Sequence, residues 1–82
     1  MNSQDWPESF IRAVCGVIRK RREEMGLSVY YVSQNSGVSQ QAIGYIEKGM
    51  RRPSFESLVR ISKGMNLKLS EIIAEAESGW KR

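Results

Sequence analysis

The chain contains no histidine and a single cysteine, Cys15. The first absence removes the commonest general base and the commonest metal ligand. One cysteine forms no intramolecular disulfide, and with no histidine beside it a structural zinc site is not supported. Cys15 also lacks a base to activate it as a nucleophile, so its simplest role is that of a small buried hydrophobe. No apolar run approaches the roughly 18 residues that cross a bilayer. The segment Met1 to Glu8 is polar and acidic and unlike a signal peptide, so the expected location is cytoplasmic. There are no internal repeats and no low-complexity tract. Neighbouring carboxylates such as Glu23 and Glu24 point to different sides of a helix and read as solvated surface. An enzyme is therefore not expected, and no cofactor, metal site or small-molecule effector is inferred.

What remains is a helical domain. With 82 residues and 40% hydrophobic content, one domain with a modest core is expected. After a frayed start over 1–7, Ile11, Val14, Cys15 and Ile18 follow the one-face helical template, widened by Phe10 and Val17, and predict helix 8–25 ended by Gly26. Trp6 either staples onto the body, the reading preferred here, or meets a partner. Ser28 precedes a short run over 29–35, and Gly37 interrupts it. Ser39 caps a second run, 39–48, which Gly49 ends. Ser54 caps a helix over 54–65 with Phe55, Leu58, Val59 and Ile61 turned inward, and Gly64 and Asn66 break it. Ser70 caps a last helix, 70–78, whose apolar side is Leu67, Leu69, Ile72, Ile73 and Ala76. Trp80, Lys81 and Arg82 are expected to be loose. The fold class is all-α, a compact bundle of about five helices.

The organising stretch runs from Leu27 to Pro53, two short helices about a tight turn. Val32, Val38, Ile43 and Ile46 point inward at helical spacing, and Ser33 is small where the helices approach. The opposite face of the second helix carries Gln40, Gln41, Gly44, Tyr45 and Lys48. Glutamine bonds adenine bidentately through N6 and N7, and lysine meets a phosphate or guanine, so this face suits the reading of base edges. The net charge of +4, from 13 Lys+Arg against 9 Asp+Glu, is unevenly placed. Arg12, Arg19, Lys20, Arg21 and Arg22 lie in the first helix, and Lys48, Arg51, Arg52, Arg60, Lys63 and Lys68 follow the turn motif. Glu71, Glu75 and Glu77 cluster near the other end. Such a basic flank suits docking on a polyanion.

Leu27-Ser28, Gly37-Val38-Ser39, Ile43, Ile46-Glu47-Lys48-Gly49, Arg51, Pro53 and Ser54 together resemble the helix-turn-helix of the phage Cro and repressor family, the Xre regulators. The resemblance extends upstream to Ile18, Arg22 and Gly26, and downstream to about Ile73. It implies a lambda-repressor-like domain that binds double-stranded DNA and regulates transcription, most often as a repressor. By the same resemblance Gln40, Gln41, Gly44 and Tyr45 meet base edges, Gly44 by letting the helix sit close. Ser28, Ser39, Lys48, Arg51 and Arg52 position the domain through phosphates. Arg22 and Glu47 match the positions at which the family forms a buried ion pair between its first and third helices. Family dimers read half-sites about 34 Å apart, which implies a homodimer on a palindromic operator.

The chain departs from the family at two places. Val29 and Tyr30 stand where a phosphate-binding glutamine and a glutamate are usual. Either Tyr30 or Tyr31 replaces that contact, or the tyrosines form a protein-contact surface, as in an antitoxin or other interaction module on the same fold. Arg21 stands where an apolar residue is usual, its stem packed and its head expected in water. For the last helix, Ile73, Ala76 and Trp80 form either a dimer surface or ordinary core.

Overall fold

The computed structural model describes residues 6–80. Five helices follow in order: α1 (Trp6–Glu24), α2 (Val29–Ser36), α3 (Gln40–Glu47), α4 (Phe55–Gly64) and α5 (Leu69–Gly79). Each lies within two residues of the expected span. The first five residues of the expected frayed start, and Lys81 and Arg82, lie outside the described residues. α1 begins earlier than expected because Pro7 falls in its first turn, where its fixed φ suits a helix and its missing N–H is no loss.

Local chemistry sets most boundaries. Ser28, Ser39 and Ser54 are extended N-caps whose hydroxyls accept from the backbone N–H of Tyr31, Ala42 and Ser57. α5 is capped differently from the expectation. Its N-cap is Lys68, not Ser70, and the Glu71 carboxylate reaches back to accept from the Lys68 N–H at 2.9 Å. A carboxylate three residues into the helix thus does the work of an N-cap hydroxyl. α2 ends at Gly37, whose φ of 76° turns the chain sharply into α3. α4 does not break at Gly64, which is its last helical residue. Asn66 takes the left-handed conformation instead, at φ 58°, with its N–H donating to Lys63 O and the Leu67 N–H to Ser62 O.

The core gathers Val14, Cys15 and Ile18 of α1, Val32, Val38, Ile43 and Ile46 of the two-helix motif, and Ile61, Met65, Ile72 and Ala76. Burial raises the Cys15 thiol pKa, which keeps it protonated near neutrality. α2 packs closely on α4, and α1 on α5. The α2–α4 contact depends on small residues. Gly64 lies so close to Ser36 that an added Cβ would stand 2.9 Å from the serine Cβ and 3.2 Å from the Val32 carbonyl oxygen. Ser36 is the residue of α2 that meets Gly64 at this approach.

This approach corrects the expected face of α4. Ile61 is buried and Leu58 half-buried, but Phe55 is 73% and Val59 42% exposed. Ser62, Gly64 and Met65 occupy the inward side. Turning the small residues toward α2 rotates the helix and carries Phe55 out. Trp80 is likewise not loose. Its indole packs edge-on to Phe10 at 5.2 Å, lies 6.2 Å from the half-exposed Trp6 ring, and donates from Nε1 to the Ser9 hydroxyl at 2.9 Å. Ala76 is core and Ile73 packs against it, so the expected dimer face on α5 is largely used within the chain.

Candidate nucleic-acid interface

α3 is held from behind and open in front. Ile43 and Ile46 are buried, while Gln40, Gln41 and Tyr45 are exposed and Gly44 half-exposed. The alternation of buried and exposed positions along eight residues leaves one polar face. On that face Gln41 Nε2 donates to the Tyr45 hydroxyl at 3.2 Å, across one helical turn. This contact orients the amide. It leaves the Gln41 Oε1 free to accept and the Tyr45 O–H free to donate.

The start of α3 presents further donors. Ser39 O accepts from Ile43 N–H at 3.0 Å and Ser39 Oγ from Ala42 N–H at 3.1 Å, so the amides of Gln40 and Gln41 stay free of the helix ladder. The Ser28 hydroxyl is arranged likewise, 2.9 Å from Tyr31 N. Each cap oxygen is an acceptor toward its own helix and retains its hydroxyl proton for an outside oxygen.

The rear of α3 is fixed by charge. Arg22 Nε donates to Glu47 Oε2 at 2.7 Å and Nη2 to Oε1 at 2.9 Å, a two-pronged contact from α1 to the end of α3. Arg22 Nη1 donates to Leu27 O at 2.8 Å, which places the α1–α2 turn in the same grip. The side chains are 14% and 6% exposed. Hydrogen bonding to the Glu47 carboxylate raises the Arg22 pKa further, against a smaller lowering from burial.

The expected basic flank on α1 is mostly spent inside the molecule. Lys20 Nζ and Arg21 Nη1 each reach Glu75 of α5 at 3.1 Å, and Arg19 lies 3.4 Å from Glu23. The Arg21 head therefore rests on a carboxylate rather than in water. The two cations, Lys20 first and then Arg21, hold the Glu75 carboxyl below its ordinary value of 4.5. Arg60 pairs with Glu56. Of the cations around α3, Lys48 and Arg51 have no carboxylate partner among the described residues, whereas Arg52 is paired with Glu8 at the start of α1.

Arg51 and Arg52 line a groove that reaches Ala42 and Ile46 of α3, so the 49–53 loop runs beside the reading helix. They also share a cleft of about 160 Å³ with Arg12 and Glu8. Sequence reasoning missed Arg12 as a neighbour of this loop, since no local signal links positions so far apart. Tyr30 and Tyr31, at the start of α2, are both exposed. Among the described residues no group of side chains suits a metal ion, and no helix is long and apolar enough to cross a membrane.

Comparison with known proteins agrees with this geometry. The Helix-turn-helix family model matches residues 18–72. The HTH-type transcriptional regulator SutR of Escherichia coli K12 is 27% identical over 71 residues, covering 87% of this chain and 40% of its own length. An uncharacterized HTH-type transcriptional regulator of Mycobacterium tuberculosis is 30% identical over 59 residues, covering 72% and 42% respectively. The chain thus spans about two fifths of these relatives. The crystal structure of the restriction-modification controller protein C.AhdI from Aeromonas hydrophila superposes with a TM-score of 0.69 at 21% identity, covering 77% of this chain and 94% of that one. On the match of its central helices, the chain belongs to the Cro/C1-type helix-turn-helix family.

Proposed function

We propose that this domain binds double-stranded DNA sequence-specifically and regulates transcription as a repressor, with α3 in the major groove. The observation that carries the reading is the exposed Gln40, Gln41 and Tyr45 face of a helix whose rear is clamped by Arg22 and Glu47. Gln40, Gln41 and Tyr45 read base edges, and Gly44 permits close approach. Ser28, Ser39, Lys48 and Arg51 meet phosphates, joined by Arg52 on release from Glu8 and by Arg12 across the cleft. A homodimer on a palindromic operator, with half-sites about 34 Å apart, multiplies the few base contacts that one small domain makes. Selection of bound sequences from a random duplex pool tests the reading, and a palindromic consensus is expected. Recovery of no preferred sequence overturns it.

The exposed Tyr30 and Tyr31 favour a second reading, a protein-interaction module on the same fold, such as an antitoxin. A gel shift against random duplex at rising salt separates the two. The first reading expects binding that weakens steeply with salt, the second little binding at any salt.

A further inference from the structure

The two tryptophans of the chain meet at one place. Trp6 opens α1 and Trp80 follows α5, and their rings stand 6.2 Å apart at 48°, as two sides of a wedge. Phe10, one turn on from Trp6, meets Trp80 edge-on at 5.2 Å. Trp80 Nε1–H donates to the Ser9 hydroxyl at 2.9 Å, which fixes the orientation of that ring. The three rings and Glu77 line a hollow of about 440 Å³, within the range of small-molecule sites.

Glu77 is not placed there by local chemistry. It lies in the last turn of α5, which holds no basic residue. Unsatisfied carbonyls already make a helix C-terminus negative, and a carboxylate there adds to the repulsion. Among the described residues no cation pairs with Glu77. Ring packing accounts for Phe10 and Trp80, but not for a carboxylate at their edge. Aromatic faces, a helix C-terminus and a carboxylate all favour positive charge.

We propose that this hollow binds a small organic cation of the quaternary ammonium class. The lining selects that class, since it offers three rings and one carboxylate and therefore few hydrogen-bond acceptors. A primary ammonium or a metal ion would give up strongly held water to rings that replace none of it. A fully alkylated nitrogen donates no hydrogen bond and carries its charge beneath an apolar skin, so ring faces hold it with little loss. None of the four lining residues is assigned to DNA, and the site stands apart from that reading.

Because both tryptophans line the hollow, indole fluorescence and the indole N–H signals in NMR report on this site alone. Choline is titrated into the whole chain at constant ionic strength, with sodium chloride as the balancing salt. A saturable change is expected, with a dissociation constant of about 1 mM or below. The uncharged analogue 3,3-dimethyl-1-butanol, of the same shape, is expected to bind about 10-fold more weakly or not at all. Glu77→Gln, at an exposed position, is expected to weaken choline binding by about 3–5-fold with far-UV circular dichroism unchanged. Trp6→Leu, at a half-exposed position, is expected to weaken it by about 10-fold, with Trp80 remaining as the reporter. No saturable change up to about 100 mM choline, equal binding of the uncharged analogue, or undiminished binding by both variants overturns the proposal. A peptide carrying trimethyllysine that binds about 10-fold more tightly than choline would assign the hollow to a protein partner and overturn the small-molecule assignment.

Discussion

The Arg22 guanidinium joins three separate parts of the chain through three hydrogen bonds. Two go to the Glu47 carboxylate at the end of α3, at 2.7 and 2.9 Å, and one to the Leu27 carbonyl at 2.8 Å. The angle at which α3 leaves the body is therefore fixed by a pair in which each charge depends on the other. Removing one partner leaves the other buried and uncompensated, whereas removing both leaves an apolar gap. Arg22→Met or Glu47→Leu alone is expected to cost about 3–5 kcal/mol, and the two together clearly less than the sum. Urea denaturation of the four proteins in the cycle measures this. Additive losses would mean that the two side chains act independently.

Gln40 is exposed at the first position of α3. Gln40→Ala is expected to leave the melting temperature unchanged. It should weaken binding to the selected site by about 1–3 kcal/mol and relax preference at one base pair. Competition binding with single-base variants of that site is the measurement. Unchanged affinity would remove Gln40 from the reading face.

Arg51 and Arg52 are neighbours in sequence but differ in charge environment, since Glu8 holds only Arg52. Arg51→Ala is expected to weaken binding to all duplexes alike and to reduce the salt slope by about 1. Arg52→Ala should do less, because part of its charge is already answered. Glu8→Gln should strengthen binding and steepen the slope. If Arg51→Ala and Arg52→Ala proved equal at every salt concentration, the Glu8 contact would have no bearing on DNA.

Glu75 links α5 to α1 through Lys20 and Arg21, which together hold its carboxyl below the ordinary 4.5. A carboxyl depressed in the folded state binds its proton more readily when unfolded. Its stabilising contribution is therefore full above the ordinary value and is lost as pH falls through the lower folded value. Thermal melts of the wild type and of Glu75→Gln should differ at neutral pH and converge on acidification below about 4.5. A gap that persists undiminished into strong acid would assign the effect to packing instead.

Gly64 is the point of closest approach between α2 and α4. Alanine favours a helix by about 1 kcal/mol over glycine, yet here its Cβ would stand 2.9 Å from that of Ser36. Overpacking is expected to win, with Gly64→Ala destabilising by about 1–3 kcal/mol. Gly64→Ala combined with Ser36→Gly should recover much of that loss. Chemical denaturation reports both, and a stabilised single variant would show that the helices can move apart freely.

The primary sequence determined the elements and the polar face of α3, because both are written in short-range chemistry. A serine hydroxyl caps an amide three residues on, a glycine supplies the left-handed stop, and Ile43 and Ile46 fix the orientation of an eight-residue helix by themselves. The ends of α1 and α3 that Arg22 and Glu47 tie together could be paired only through resemblance to a known family, since a separation of 25 residues carries no local signal. Three matters were decided by the tertiary structure alone. Ser36 and Gly64 set how closely α2 and α4 pack, which rotated α4 and exposed Phe55. Glu75 drew Lys20 and Arg21 away from the basic flank. Trp80 found Ser9 and Phe10 across the whole length of the domain. Each depends on partners that only folding brings within van der Waals or hydrogen-bond range, and periodicity along the chain cannot encode distance across it.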